Sequence, residues 1–262
     1  MLKRRLIPKL QLRSVRLAAT ERMVLVTTVR FDQTVMVGDP ISQAKIYQAQ
    51  TADELIFLDL DATTQGRPTM ARIVEQAAEE IFMPLTVGGG VRSIDDFRSL
   101  LLCGADKVSI NTAAVEDPGL IARAADAFGA QCVVVSIDYR RAADGRYSVF
   151  TRGGTLDTGL DPVAWAASCA EHGAGELLLT SIDRDGTRSG LDVELTRRVV
   201  GAVPIPVISS GGCGTAAHFV EGFAEGLADA VASGTFFCLK DQTPLQTRAR
   251  ISNAGIPIRL HM

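Results

Sequence analysis

Three groups of residues in this sequence could carry chemistry. The first is a pair of glycine-rich stations: Gly88-Gly89-Gly90 with Ser109-Ile110-Asn111-Thr112, and Ser210-Gly211-Gly212 with Ser233-Gly234-Thr235, the second joined by Asp185-Gly186. Glycine lets the backbone approach an oxyanion and helix N-termini aim amides at it. Each station is therefore a candidate phosphate site. Tight strand-to-helix turns also need glycine for structure alone, but duplication of the station argues for a ligand with a phosphate at each end. The second group is Asp138, which closes the run VVVSID. There it can serve as general acid and base, or simply cap the next element. The third is Arg5, Glu54, Lys107 and Glu176, each opening an otherwise apolar run. If they face inward, two cations and two carboxylates meet, and buried charges must pair. From pattern alone a structural floor, or four solvated strand ends, is the simpler account. His172 and His218 fall in helical segments and His261 adjoins the C-terminus, so all three are expected at the surface.

These residues need elements to position them. Eight short apolar runs alternate with helical patterns: RLIPKLQL, DELIFLDL, MPLTVG, DKVSI, QCVVVSI, GELLLTSI, IPVISS and DAVAS. Eight βα units predict an α/β fold, a parallel (β/α)₈ TIM barrel. The chain also repeats itself. Ala52–Asp61 (ADELIFLDLD) parallels Ala174–Asp183 (AGELLLTSID), and at the same offset Gly88-Gly89-Gly90-Val91 parallels Ser210-Gly211-Gly212-Cys213. Ala105-Asp106 and Asn111-Thr112 parallel Ala228-Asp229 and Gly234-Thr235, one residue out of step. A repeat this long predicts two half-barrels rather than a solenoid. Two segments exceed a bare barrel, an insertion at about 18–37 and a stretch at 146–158. Both follow strand C-termini and are expected as hairpins over the catalytic face. Ser93 is the natural N-cap of the helix it precedes.

Composition sets the outer bounds. The 262 residues, 47% hydrophobic, suit one barrel domain over 1–262. A formal charge of -3 with scattered Lys and Arg argues against nucleic acid or a membrane surface as the main partner. Five cysteines without a CxxC pair suit reduced thiols in the cytoplasm better than disulfides or zinc. No apolar run is long enough to span a membrane, and no metal or organic cofactor is implied.

FLDLDAT, PLTVGGGVRS, GADKVSINTAAVE, FGAQCVVVSID, GAGELLLTSIDRDGT and PVISSGG, in this order, resemble the cyclase subunit of imidazole glycerol phosphate synthase from Met1 to the closing GIPIR, with 18–37 poorly covered. The resemblance implies a lyase of histidine biosynthesis. A class I glutaminase would dock at the barrel floor, and its ammonia would pass through the barrel to a phosphorylated substrate at the mouth. It implies that Arg5, Glu54, Lys107 and Glu176 form an ammonia gate and that Asp106 faces the glutaminase. It implies that Gly90, Asn111, Thr112, Asp185, Gly186, Gly212, Gly234 and Thr235 are the phosphate-binding residues and that Asp138 is one of two catalytic aspartates.

Two departures stand against this. Gln11 occupies the position of the family's other catalytic aspartate, and an amide cannot shuttle a proton, a loss of typically about 10²–10⁴-fold in rate. The family's lysine in the following loop has no counterpart; Thr27 or Thr28 stands there. Lys9 is new, projects inward by alternation, and is expected to pair with Asp138 or another carboxylate of the lumen. The departures point to a specialised paralogue, similar to barrels associated with acetamidino (amidine) modification of sugars. An ordinary histidine-pathway cyclase and a non-catalytic ammonia conduit are the alternatives.

Overall fold

A computed structural model describes residues 3–17, 20–69, 71–239 and 242–259. His261 lies outside them. Eight parallel strands close on one another in the order β1 (Arg5–Leu17), β4 (Leu55–Asp59), β5 (Leu85–Gly88), β6 (Lys107–Ile110), β7 (Val133–Arg141), β10 (Glu176–Ser181), β11 (Val207–Ser210) and β12 (Ala230–Ser233), with β12 pairing β1. All eight runs read from the sequence are strands of this barrel.

Strand alternation explains the two layers of core. Ile7, Ile56, Val134, Leu178, Ile208, Ala230 and Ala232 point into the lumen and pack on each other. Their neighbours along the strands, among them Leu6, Leu55, Phe57, Val133, Val135, Leu177 and Leu179, point outward under the helices. Those helices are α1 (Pro40–Ala49), α2 (Ala71–Glu80), α3 (Ile94–Leu102), the pair α4 (Thr112–Glu116) and α5 (Gly119–Phe128), α6 (Pro162–Glu171), α7 (Val193–Ala202), α8 (Ala216–Ala224), and α9 (Thr235–Cys238) with α10 (Pro244–Asn253). Local signals set their starts. Ser93 caps α3 in a reciprocal box with Asp96, and Asp39 and Asp161 cap α1 and α6 just before a proline. None of the helices is long and apolar enough to cross a membrane.

The half-barrel repeat reappears in hydrogen bonds. Asp106 Oδ2 accepts from the amide of Leu85 at 2.8 Å, and its counterpart Asp229 accepts from Val207 at 3.0 Å. Gly89 and Gly211 both have positive φ, and each lies against a backbone carbonyl, of Asp59 and Ser181 respectively.

Both extra segments are antiparallel ribbons after strand C-termini. β2 (Thr20–Val29) and β3 (Gln33–Gly38) pair in sequence against β1, while β8 (Tyr147–Thr151) and β9 (Leu156–Asp157) pair against the end of β7. One boundary differs from the sequence reading. β1 does not stop near Leu12 but runs to Leu17, so the first ribbon begins at the Gln11–Val26 pair. The strand continues because β2 supplies partners for backbone groups that leave the barrel.

Candidate active site

At the N-terminal end of the strands the four charged residues form a closed ring. Arg5 donates to Glu54 at 2.7 Å and to Glu176 at 2.5 Å, and Lys107 donates to the other oxygens of Glu54 at 3.0 Å and of Glu176 at 2.9 Å. Burial opposes the charge on Arg5 and Lys107, but the two carboxylates outweigh it and hold both cations protonated above their ordinary range. Burial likewise opposes ionisation of Glu54, yet Arg5 and Lys107 keep its pKa below the ordinary value. The ring lies below the apolar lumen layer. Asp106, beside Lys107, is exposed on this face.

At the opposite end the lumen becomes polar. Gln11 is fixed at both ends of its amide: its Nε2 donates to Thr28 Oγ1 at 2.9 Å, and its Oε1 accepts from the Thr28 amide at 3.2 Å. The Thr28 hydroxyl donates onward to Asp185 at 2.6 Å. Of the two threonines considered from the sequence, Thr28 is the one that meets Gln11. Lys9, 3% exposed, donates to Ser210 Oγ at 2.8 Å and stands 3.7 Å from Asp185 Oδ1. The expected lumen carboxylate for Lys9 is thus Asp185, not Asp138.

Asp138 sits at the end of the parallel part of β7, level with Thr180. It accepts from Asn111 Nδ2 at 3.1 Å and from Ser136 Oγ at 3.3 Å. Desolvation pushes its carboxyl up to about 7, Lys9 opposing that rise and Asp185 adding to it. A carboxyl titrating there can both take and return a proton near neutrality.

The two glycine stations differ in what surrounds them. The second is an open cleft lined by Lys9, Asp185, Gly186, Ser210, Gly212, Gly234 and Thr235 among others. The first is covered by the loop after β4. Gly90 N donates to Thr63 Oγ1 at 3.1 Å, Thr69 donates to the Gly89 carbonyl, and Asp59 anchors the loop by accepting from Arg67 at 2.7 and 3.0 Å. Asn111 turns its amide to Asp138 and to the carbonyls of Ser136 and Phe150, and Thr112 Oγ1 accepts from the Arg152 amide. Asp59 and Arg67 were not singled out in the sequence; the acidic end of FLDLD was the available signal for Asp59.

His172 accompanies Ser168 at the end of α6, and His218 Nδ1 accepts from the Gly214 amide; both are half-buried rather than fully at the surface. Among the described residues no three His, Cys, Asp or Glu side chains converge as a metal site.

Residues 13–242 match the family of histidine biosynthesis proteins. A protein of Prochlorococcus marinus (strain MIT 9313), which bears the provisional name imidazole glycerol phosphate synthase subunit hisF2, is 49% identical over 260 residues, covering 99% of both chains.

Proposed function

The chain belongs to the histidine biosynthesis family, among the cyclase-type subunits of imidazole glycerol phosphate synthase, and from that premise we propose a finer reading. The protein is the ammonia-using synthase subunit of a glutamine amidotransferase pair, and it forms a C–N bond on a phosphorylated substrate. It is a paralogue specialised away from the histidine-pathway reaction, toward a different amidation such as amidine formation. The observation that carries this reading is Gln11. Its amide is held at both ends by Thr28 and has no proton to exchange, so the mouth works with one carboxyl, Asp138, where the family's reaction uses two.

In this reading ammonia enters at the floor past Arg5, Glu54, Lys107 and Glu176, delivered by a cytoplasmic glutaminase that docks over Asp106. It rises through the apolar lumen and adds to a carbonyl-type carbon, whose π electrons pass to its oxygen. Asp138 takes the proton that the new ammonium nitrogen sheds and returns it to that oxygen. The substrate spans the two phosphate stations, Gly90, Asn111 and Thr112 on one side and Asp185, Gly186, Gly212, Gly234 and Thr235 on the other. The β2–β3 and β8–β9 ribbons exclude water. A histidine-pathway cyclase is the second reading, and the near full-length similarity favours it. A bare conduit fits less well, because the mouth keeps a carboxyl tuned near neutrality beside a glycine-lined cleft that holds Lys9 and Asp185.

The test supplies ammonium salts and the bisphosphate intermediate of the imidazole pathway to the purified chain and follows its loss. The specialised reading expects no turnover, in the native chain and in Gln11→Asp alike. Turnover by the native chain that Asp138→Asn abolishes would overturn it in favour of the histidine-pathway cyclase.

A further inference from the structure

Lys9 marks the level at which the lumen changes character. Below it the strands contribute Ile7, Ile56, Leu178 and Ile208. The lysine itself is 3% exposed, and its ammonium reaches the cleft at the second glycine station. An ammonium carries three donors. Among the described residues only Ser210 Oγ accepts from it at hydrogen-bond distance. Asp185 Oδ1, at 3.7 Å, is near enough to form an ion pair but too far to accept a hydrogen bond, and Asp185 Oδ2 already accepts from Thr28. A buried cation with donors to spare is costly unless a ligand completes it. The donors open onto a cleft whose other walls are small residues, Gly186, Gly212, Gly234 and Thr235. The first station differs: it has no lysine, and the guanidinium in the loop that covers it, Arg67, is paired with Asp59.

We propose that Lys9 is a specificity-determining residue that binds the oxyanion of a phosphoryl group seated against Gly212 and Gly234, so that this end of the mouth selects a phosphomonoester by charge. The inference rests on reading the cleft as the substrate site, but not on which reaction follows. The geometry explains the paired departures on β1. Lys9 supplies a cation, and the amide of Gln11 two residues on avoids a carboxylate that would compete with the phosphate for it. Asp185 takes the role of a counter-ion: it is the carboxylate beside the ammonium in the free protein, and the phosphate supplies the closer oxygens once bound.

The test is a titration of the intact chain with inorganic phosphate and, in a second arm, ribose 5-phosphate, at fixed ionic strength, read by calorimetry. The native chain, Lys9→Met, Lys9→Arg, Asp185→Asn and the double variant Lys9→Met/Asp185→Asn are compared. Lys9→Met is expected to weaken one phosphate site about 10- to 100-fold, the size of a lost charge-assisted contact, with partial rescue by Lys9→Arg. If Lys9→Met does not fold, the double variant against Asp185→Asn alone gives the same comparison without an orphaned carboxylate. Phosphate binding unchanged by loss of Lys9 would overturn the assignment while leaving the cleft a phosphate site. No phosphate binding by the native chain would overturn both. A failure of ammonia-dependent turnover touches neither, because the titration needs no reaction. Inorganic phosphate bound as tightly as the sugar phosphate would locate the recognition in the phosphoryl group.

Discussion

Asp138 holds its proton up to about pH 7 because it is ringed by protein and shares the mouth with Asp185, against the partial relief that Lys9 gives. An unfolded chain loses the same proton near pH 4. Between those values the native state binds a proton that the unfolded state does not. The stability this contributes is fully present below about pH 4 and is lost as pH rises through about 7. Asp138→Asn does not titrate, so its melting temperature relative to the native chain is expected to rise from pH 5 to about pH 7 and to level off by pH 8. A flat difference across that range would mean that Asp138 is ionised throughout. Much at this scale was legible. Lys9 and Gln11 stood out as departures from what the resembled family carries at the end of this strand. Alternation placed both on the inward face, and pairing of Lys9 with a carboxylate followed from the cost of burial. The choice of Asp185 over Asp138 was not legible, since it depends on where a lysine chain four carbons long comes to rest among strands far apart in sequence.

The elements that carry these residues impose demands of their own, most visibly at Gly89. A Cβ there would lie 2.1 Å from the carbonyl oxygen of Asp59, on a backbone at φ +100. Gly89→Ala is therefore expected to destabilise the fold by about 3 kcal/mol or more, whatever the station binds. Gly201 is the contrast. It lies in α7 with open space around the position of a Cβ, and Gly201→Ala is expected to stabilise by about 0.5–1 kcal/mol through the unfolded chain and helix propensity. Denaturant melts of the two variants measure both effects. A mild Gly89→Ala would show that the backbone around the station can move apart to admit a Cβ. The eight strands were legible because each is an apolar run with its own turn signals, and the ribbons because β-prone runs followed two of them. The cover over the first station was not. It depends on Arg67 reaching back to Asp59, an ion pair across a polar loop that carries no periodicity to read.

Across the whole molecule one apolar lumen joins a salt-bridged floor to a polar mouth, and its two ends can be perturbed separately. Glu54, like Glu176, touches both cations of the ring. Glu54→Gln leaves Arg5 and Lys107 to share Glu176. Breaking a fully buried pair costs about 3–5 kcal/mol, but the Arg5 and Lys107 side chains are 22% and 19% exposed, so solvent returns part of that and about 2 kcal/mol is expected in a denaturant melt. The same variant separates the two roles of the ring. If the floor only holds the strands together, stability falls and every activity falls with it. If it governs the entry of ammonia, a reaction fed by ammonium salts through the open mouth should keep its rate, while one fed by glutamine through a docked glutaminase should fall by an order of magnitude or more, about 1.4 kcal/mol in barrier. The ratio of the two rates, compared between the native chain and Glu54→Gln at a temperature where both are folded, is the measurement. An unchanged ratio would leave the ring a structural floor, the simpler account from the sequence alone. A lowered ratio would mean that the charges at one end of the barrel act on chemistry at the other through nothing but the passage between them.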